Sequence, residues 1–271
     1  MNEPRIIVFD SGLGGLTVLK AIHDLIPGAA FLYVADDAAF PYGDMVGPDV
    51  IGRVRKVMDR VMATGTPDAV VIACNTASTM VMSMLRARYK VPFIGTVPAI
   101  KPAAEITKSG LVSVLATPGT IERDYTRALI RSFASHVHVR LIGSSRLATL
   151  AEQIASGKEV PDDAISAEIA PAFLDQDDRK TDAVVLGCTH YPLIIDRMKA
   201  LALWDVEWIN PAPAIARQVA TVLNGREERT EHRVSPAAIH LVFSSGRAAD
   251  DAVISTMEHI GLPRPFIGSD H

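Results

Sequence analysis

Short, unbroken hydrophobic runs alternate along the chain with stretches in which apolar residues return every three or four positions. The runs are RIIVF (5–9), FLYVA (31–35), AVVIA (69–73), PFIG (92–95), LVSVLA (111–116), VHVRLI (137–142), AVVLG (183–187), VEWI (206–209) and HLVF (240–243). Their continuous apolar character predicts strands buried on both faces of a parallel sheet. Over 50–62, Val50, Ile51, Val54, Val57, Met58, Val61 and Met62 share one helical face, with Pro48 before them and Gly65 after. Ile215, Val219, Val222 and Leu223 do the same ahead of Asn224-Gly225, a stop signal, and a further helix is predicted over 16–26. Strand then helix, repeated, predicts an α/β fold of doubly wound parallel sheets joined by right-handed crossovers.

The pattern also repeats on a longer scale. DAVVIACNTA (68–77) and DAVVLGCTHY (182–191) are two versions of one segment, and IIVFDSGLGG (6–15) and VSVLATPGTI (112–121) are two versions of another. The two pairs are offset by nearly the same length, which predicts two similar lobes in tandem. Prolines in GTVPAIKPA (95–103) mark a boundary, and NPAPA (210–214) marks a return. The expected division is 1–97 plus 211–271 for the first lobe and 98–210 for the second.

Composition narrows the classes. Across 271 residues, 48% are hydrophobic and 21% charged, with a formal net charge of -4. That balance predicts a globular protein, and no concentration of basic residues points to nucleic acid or an anionic membrane. MNEPRIIVFD has no basic segment leading into an apolar one, and no run approaches the ~18 apolar residues of a spanning helix. A cytoplasmic protein is therefore expected. Trp204 and Trp208 are expected to pack on a sheet, His136 and His138 to be exposed on a strand, and DQDDRK (175–180) to be a solvated loop.

The repeat uses the chain's only two cysteines, Cys74 and Cys188, each at a strand's carboxyl end, where α/β sheets bind ligands. A helical pattern follows each, so a helix N-terminus is expected to lower both thiol pKa values. Across a cleft, two such thiols could serve one carbon from opposite faces, one removing a proton while the other delivers one, as inversion of a stereocentre requires. The same cysteines could instead form a disulfide, join His190 around zinc, or supply one nucleophile with His190 as its base. DSGLGG (10–15) fits neither G-x-G-x-x-G nor a P-loop. It reads as a small-residue turn able to bring backbone N–H groups to a carboxylate. Asp10 could receive an ammonium, orient a proton-transfer group, or cap its own helix. In PYGD (41–44), Tyr42 offers a phenol in a turn set by Pro41 and Gly43, and Thr117 and Thr120 offer hydroxyls.

Taken together, FDSGLGGLTV (9–18), PYG (41–43), ACNTAS (73–78), ATPGT (116–120) and GCTHYP (187–192) resemble, in that order and over nearly the whole chain, the glutamate racemases of the aspartate/glutamate racemase superfamily. The resemblance implies cofactor-independent interconversion of L- and D-glutamate, supplying D-glutamate to peptidoglycan, by two lobes with the site between them. It implies Cys74 and Cys188 as the acid/base pair, assisted by Asp10 and His190, with Glu152 near His190. Asp10, Ser11, Pro41, Tyr42, Gly43, Asn75, Thr76, Thr117, Thr120, Thr189 and His190 would hold the substrate together with the two cysteines. No cofactor or metal is expected, glutamate is the expected partner, and a homodimer is the expected assembly. Ala35 replaces the family's usual glycine, and FSSG (243–246) replaces the commoner F-T-S-G.

Overall fold

The computed structural model describes residues 3–225 and 238–266; the remainder of the expected first lobe, 1–2, 226–237 and 267–271, lies outside the described residues. In chain order the strands are β1 (Arg5–Asp10), β2 (Ala30–Ala35), β3 (Ala69–Ile72), β4 (Phe93–Gly95), β5 (Leu111–Ala116), β6 (His138–Gly143), β7 (Asp175–Gln176), β8 (Arg179–Lys180), β9 (Ala183–Gly187), β10 (Glu207–Ile209) and β11 (Ile239–Phe243). One parallel sheet has the order β11-β2-β1-β3-β4 and a second has β10-β9-β5-β6. The fold is α/β with two parallel-sheet lobes.

The longer sequence repeat has its cause in this topology. The orders β2-β1-β3-β4 and β6-β5-β9-β10 correspond strand for strand, so β1 matches β5 and β3 matches β9. Each central strand is apolar on both sides because alternate residues feed different cores. Ile6 and Val8 enter one core of the first sheet, while Ile7 and Phe9 enter the other. In the second sheet Val184 and Leu186 face one core and Val185 the opposite one. Truncating such a side chain to alanine costs about 2–5 kcal/mol.

Two of the four edge strands depart from the expected continuous burial by alternation. In β6 and β11 exposed and less exposed positions alternate, because an edge strand has a neighbour on one side only and a face nearer water. Residues 175–180 form a tight hairpin rather than a loop, with Asp177 and Asp178 at φ 52 and 59. Aspartate tolerates that left-handed backbone, which a two-residue hairpin requires. His138 opens β6, whereas His136 precedes it; both are exposed. Phe173 meets Trp204 and Trp208 edge-on beside the second sheet.

Helix Ala212–Asn224 carries Ile215, Val219 and Leu223 into the same core as Leu16, Leu19 and Ile22 of helix Leu16–Leu25. The chain thereby returns to the first sheet after leaving the second. Among the described residues, no helix is long and apolar enough to cross a membrane.

Candidate active site

The two short repeats end at equivalent places. β1 ends at Asp10 and β5 is followed by Thr117; β3 is followed by Ala73 and Cys74, and β9 by Cys188. All four positions lie at carboxyl ends of parallel strands. Ser11, Cys74, Asn75 and Thr76 from the first lobe, with Thr117, Cys188, Thr189 and His190 from the second, line one narrow cleft. Pro41, Tyr42 and Gly43 close it from the β2 side. Its enclosed space is about 20 Å³, room for roughly one water molecule. Broader grooves exist, about 420 Å³ near His259 and about 640 Å³ along helix Asn75–Arg88, but neither contains a cysteine.

Cys74 and Cys188 are free thiols, 6% and 7% exposed. Cys74 is the N-cap of helix Asn75–Arg88, its Sγ accepting the Ala77 N–H at 3.5 Å. The expected lowering of its pKa does not occur. Burial, then the charge of Asp10, pushes the thiol well above its ordinary range, and the Ala77 and Ser11 hydrogen bonds only moderate the rise. At Cys188 the expected helix start is missing: a 3-10 turn, Tyr191–Ile194, intervenes before helix Ile195–Ala200. Pro192 cannot donate the N–H that would continue a regular ladder.

Each sulfur has its own chain of polar groups. On one side Ser11 Oγ lies 3.8 Å from Cys74 Sγ and donates to Asp10 Oδ1 at 3.2 Å. Asp10 also accepts the Gly12 N–H at 3.0 Å and the Thr189 hydroxyl at 2.8 Å. Its acidity is nonetheless weakened, because complete burial outweighs His190, Thr189 and Gly12. With its carboxylate accepting from Gly12, Asp10 does not cap helix Leu16–Leu25, whose N-cap is Gly15.

On the other side His190 Nδ1 lies 3.8 Å from Cys188 Sγ, and its Nε2 lies 2.8 Å from Glu152 Oε2. Burial alone would favour neutral imidazole, but the bonds to Cys188 and Glu152 reverse that and hold His190 well above its ordinary pKa. The protonated ring supplies a donor to each neighbour.

The glycine turn joins the lobes. The Leu13 N–H donates to Glu152 Oε2 at 2.9 Å, and the Gly14 N–H approaches His190 Nε2 at 3.3 Å. The turn does bring N–H groups to carboxylates, but to the protein's own, Asp10 and Glu152. A Cβ on Gly14 would collide with the His190 ring, and one on Gly12 would stand 2.9 Å from Glu152 Oε2. Backbone without side chains is the condition for this approach.

The remaining groups provide donors. Thr76, Thr117 and Thr120 form a hydroxyl triangle with edges of 2.9, 3.3 and 3.1 Å; Thr120 stands behind the lining. Asn75 is 2% exposed, and among the described residues neither polar atom of its side chain has a hydrogen-bond partner. A buried amide left in that condition is costly, and a ligand that pairs with it recovers the loss. Tyr42 behaves otherwise than expected: its phenol donates to Asp36, away from the cleft. Burial first, and Asp36 second, hold that phenol far above its ordinary pKa. Phe40, Ala148 and Gly187 also line the cleft and carried no polar signal by which the sequence could reveal them. Among the described residues, no three His, Cys, Asp or Glu side chains converge as metal ligands do.

Two sulfurs at corresponding positions of repeated lobes thus line one cleft, each backed by a carboxylate through one intermediate group. A model of the Asp/Glu/Hydantoin racemase family matches residues 16–219, and the chain belongs to that family of racemases. It is 48% identical to the glutamate racemase of Brucella canis over 261 residues, 96% of this chain and 93% of that protein. Escherichia coli glutamate racemase, solved with L-glutamate and the activator UDP-MurNAc-Ala, matches with a TM-score of 0.86 at 34% identity, over 96% of each chain. Glutamate racemase RacE1 of Bacillus anthracis matches with a TM-score of 0.76 at 25% identity, over 100% of this chain and 98% of that one.

Proposed function

We propose that the chain interconverts L- and D-glutamate without a cofactor, Cys74 and Cys188 exchanging the roles of base and acid with the direction of reaction. The observation that carries this reading is the convergence of the two cysteines, from matching strand ends of the two lobes, on one buried cleft. Similarity to glutamate racemases supports the substrate.

For the Cys74 half, the thiol must first lose its proton. Asp10, made more basic by burial, can receive it through the Ser11 hydroxyl, which accepts one proton as it passes on another. For the Cys188 half, His190 can take or return the proton at Nδ1 while Glu152 fixes the ring and balances its charge. A thiolate on one side removes the Cα hydrogen, and the thiol opposite protonates the resulting carbanion on its other face. Negative charge spreading from Cα into the α-carboxylate is stabilised by donors fixed in advance: the Asn75 amide, the threonine hydroxyls and the first N–H groups of helix Asn75–Arg88. The cleft's small volume requires the lobes to part for entry and to close for reaction, excluding water from the carbanion.

Incubation with each enantiomer in deuterated water tests the reading directly: both should gain deuterium at Cα and racemise. L-aspartate, run in parallel, should remain unreacted. Binding without Cα exchange would reduce the protein to an amino-acid receptor and sink the proposal. In the cell the reaction would supply D-glutamate to peptidoglycan from the cytoplasm, so depletion should be rescued by external D-glutamate. The assembly proposed is a homodimer, with a light-scattering mass of twice the chain's 29.1 kDa.

A further inference from the structure

The segment roofing the cleft is tied down from behind by groups that touch neither sulfur. Asp36, immediately after β2, is wholly buried, and a carboxylate so far from water has to be matched by charge and donors. Arg53 Nε reaches its Oδ2 at 2.7 Å and Arg53 Nη2 its Oδ1 at 2.5 Å, the two-pronged geometry that lysine cannot reproduce. The Tyr42 phenol donates to the same carboxylate. Arg53 is itself held by Ser244 Oγ at 3.2 Å, in the loop after β11.

The roof is thus fixed at Asp36 and again at Tyr42. Between them Phe40 projects onto the second lobe, its ring 5.1 Å from that of His190 and tilted by 42°. Phe40 is the aromatic face against an imidazole only 2% exposed. A ring there does two things: it restricts rotation of the imidazole, and its electron-rich face favours the protonated form.

We infer that Phe40 is a positioning residue for His190, and that Arg53, acting through Asp36 and Tyr42, is a positioning residue for Phe40, so that both serve the Cys188 half of the reaction. This rests on the two-thiol reading above. An anchor that merely stabilised the fold would slow both halves alike.

The test uses Phe40→Ala, Phe40→Tyr and Arg53→Met in the full chain, with L- and D-glutamate each carrying hydrogen or deuterium at Cα. His190→Asn identifies the enantiomer whose hydrogen faces Cys188, by the rise in its isotope effect. Phe40→Ala and Arg53→Met should lower kcat about tenfold with KM nearly unchanged, the scale of a small displacement of a reacting group. They should raise the isotope effect for that same enantiomer alone. Phe40→Tyr, which keeps the ring, should restore both values, and the double variant should lose no more than Arg53→Met. If Arg53→Met does not fold, Arg53→Lys replaces it with the same expected asymmetry. Equal changes for both enantiomers, no change for either, or additive losses would overturn the inference. Failure of the parent enzyme to exchange Cα hydrogen would instead overturn the two-thiol reading.

Discussion

The two halves of the cleft are built on one plan with different parts. Cys74 is backed by a hydroxyl and a carboxylate, Ser11 and Asp10; Cys188 is backed by an imidazole and a carboxylate, His190 and Glu152. In the first half, burial and the neighbouring anion keep the proton on sulfur. In the second, the imidazole holds its proton well above the ordinary range. The repeated strand order therefore supplies symmetric positions, and the local sequence makes them electrostatically unlike. On the two-thiol reading proposed above, a reaction symmetric in its substrates would need no symmetric auxiliaries, only two sulfurs that can each be loaded and unloaded.

The largest effects should come from the sulfurs. Cys74→Ala and Cys188→Ala should each lower racemisation by at least the roughly 10²–10⁴-fold carried by a positioned acid or base. Each should still exchange the Cα hydrogen of the one enantiomer that faces its surviving thiol, with retention of configuration, as read by mass spectrometry and chiral chromatography. Full racemisation by either variant would dissolve the comparison altogether.

Next come the partners. Asp10→Asn and His190→Asn should each slow turnover about 10²-fold and raise the isotope effect for opposite enantiomers. Effects on the same enantiomer would mean that the two polar chains do not serve separate sulfurs. Asn75→Ala should separate binding from folding: it removes a buried amide without a partner, so the melting temperature should not fall, while KM for glutamate rises about tenfold.

The smallest effect is on stability against pH. Because the folded pKa of His190 is raised, the stability it contributes is complete below about pH 6.5 and is lost as pH climbs through the raised value. Asp10 is raised as well, so its contribution is complete below about pH 3.8 and is lost as pH rises through its own higher value. Melting curves of the parent and the two asparagine variants should differ by a few degrees, each variant diverging from the parent below the raised value of the group it lacks.

Much of this was legible in the chain. Continuous apolar runs located the parallel strands, and the duplicated cysteine segment exposed both the tandem lobes and the paired sulfurs. Elements whose identity depends on company were harder to read. Nothing local distinguishes β6 or β11 as edges, and nothing after Cys188 announces a 3-10 turn except Pro192. The Tyr42 phenol looked available because Asp36 and Arg53 are brought to it only by folding. Phe40 carries no polar group, and its meeting with His190 spans 150 residues of chain. The glycines of DSGLGG were conspicuous, but their reason, an imidazole arriving from the opposite lobe, lies in space rather than sequence.

That arrival has a further consequence. Glu152, which fixes His190, is steadied by the amide of Leu13 across the lobe junction, so the parting of the halves proposed above for entry and release would undo the support of the Cys188 side. An interior open to the solvent would then be disarmed, and the movement that seals the cargo inside would reassemble it.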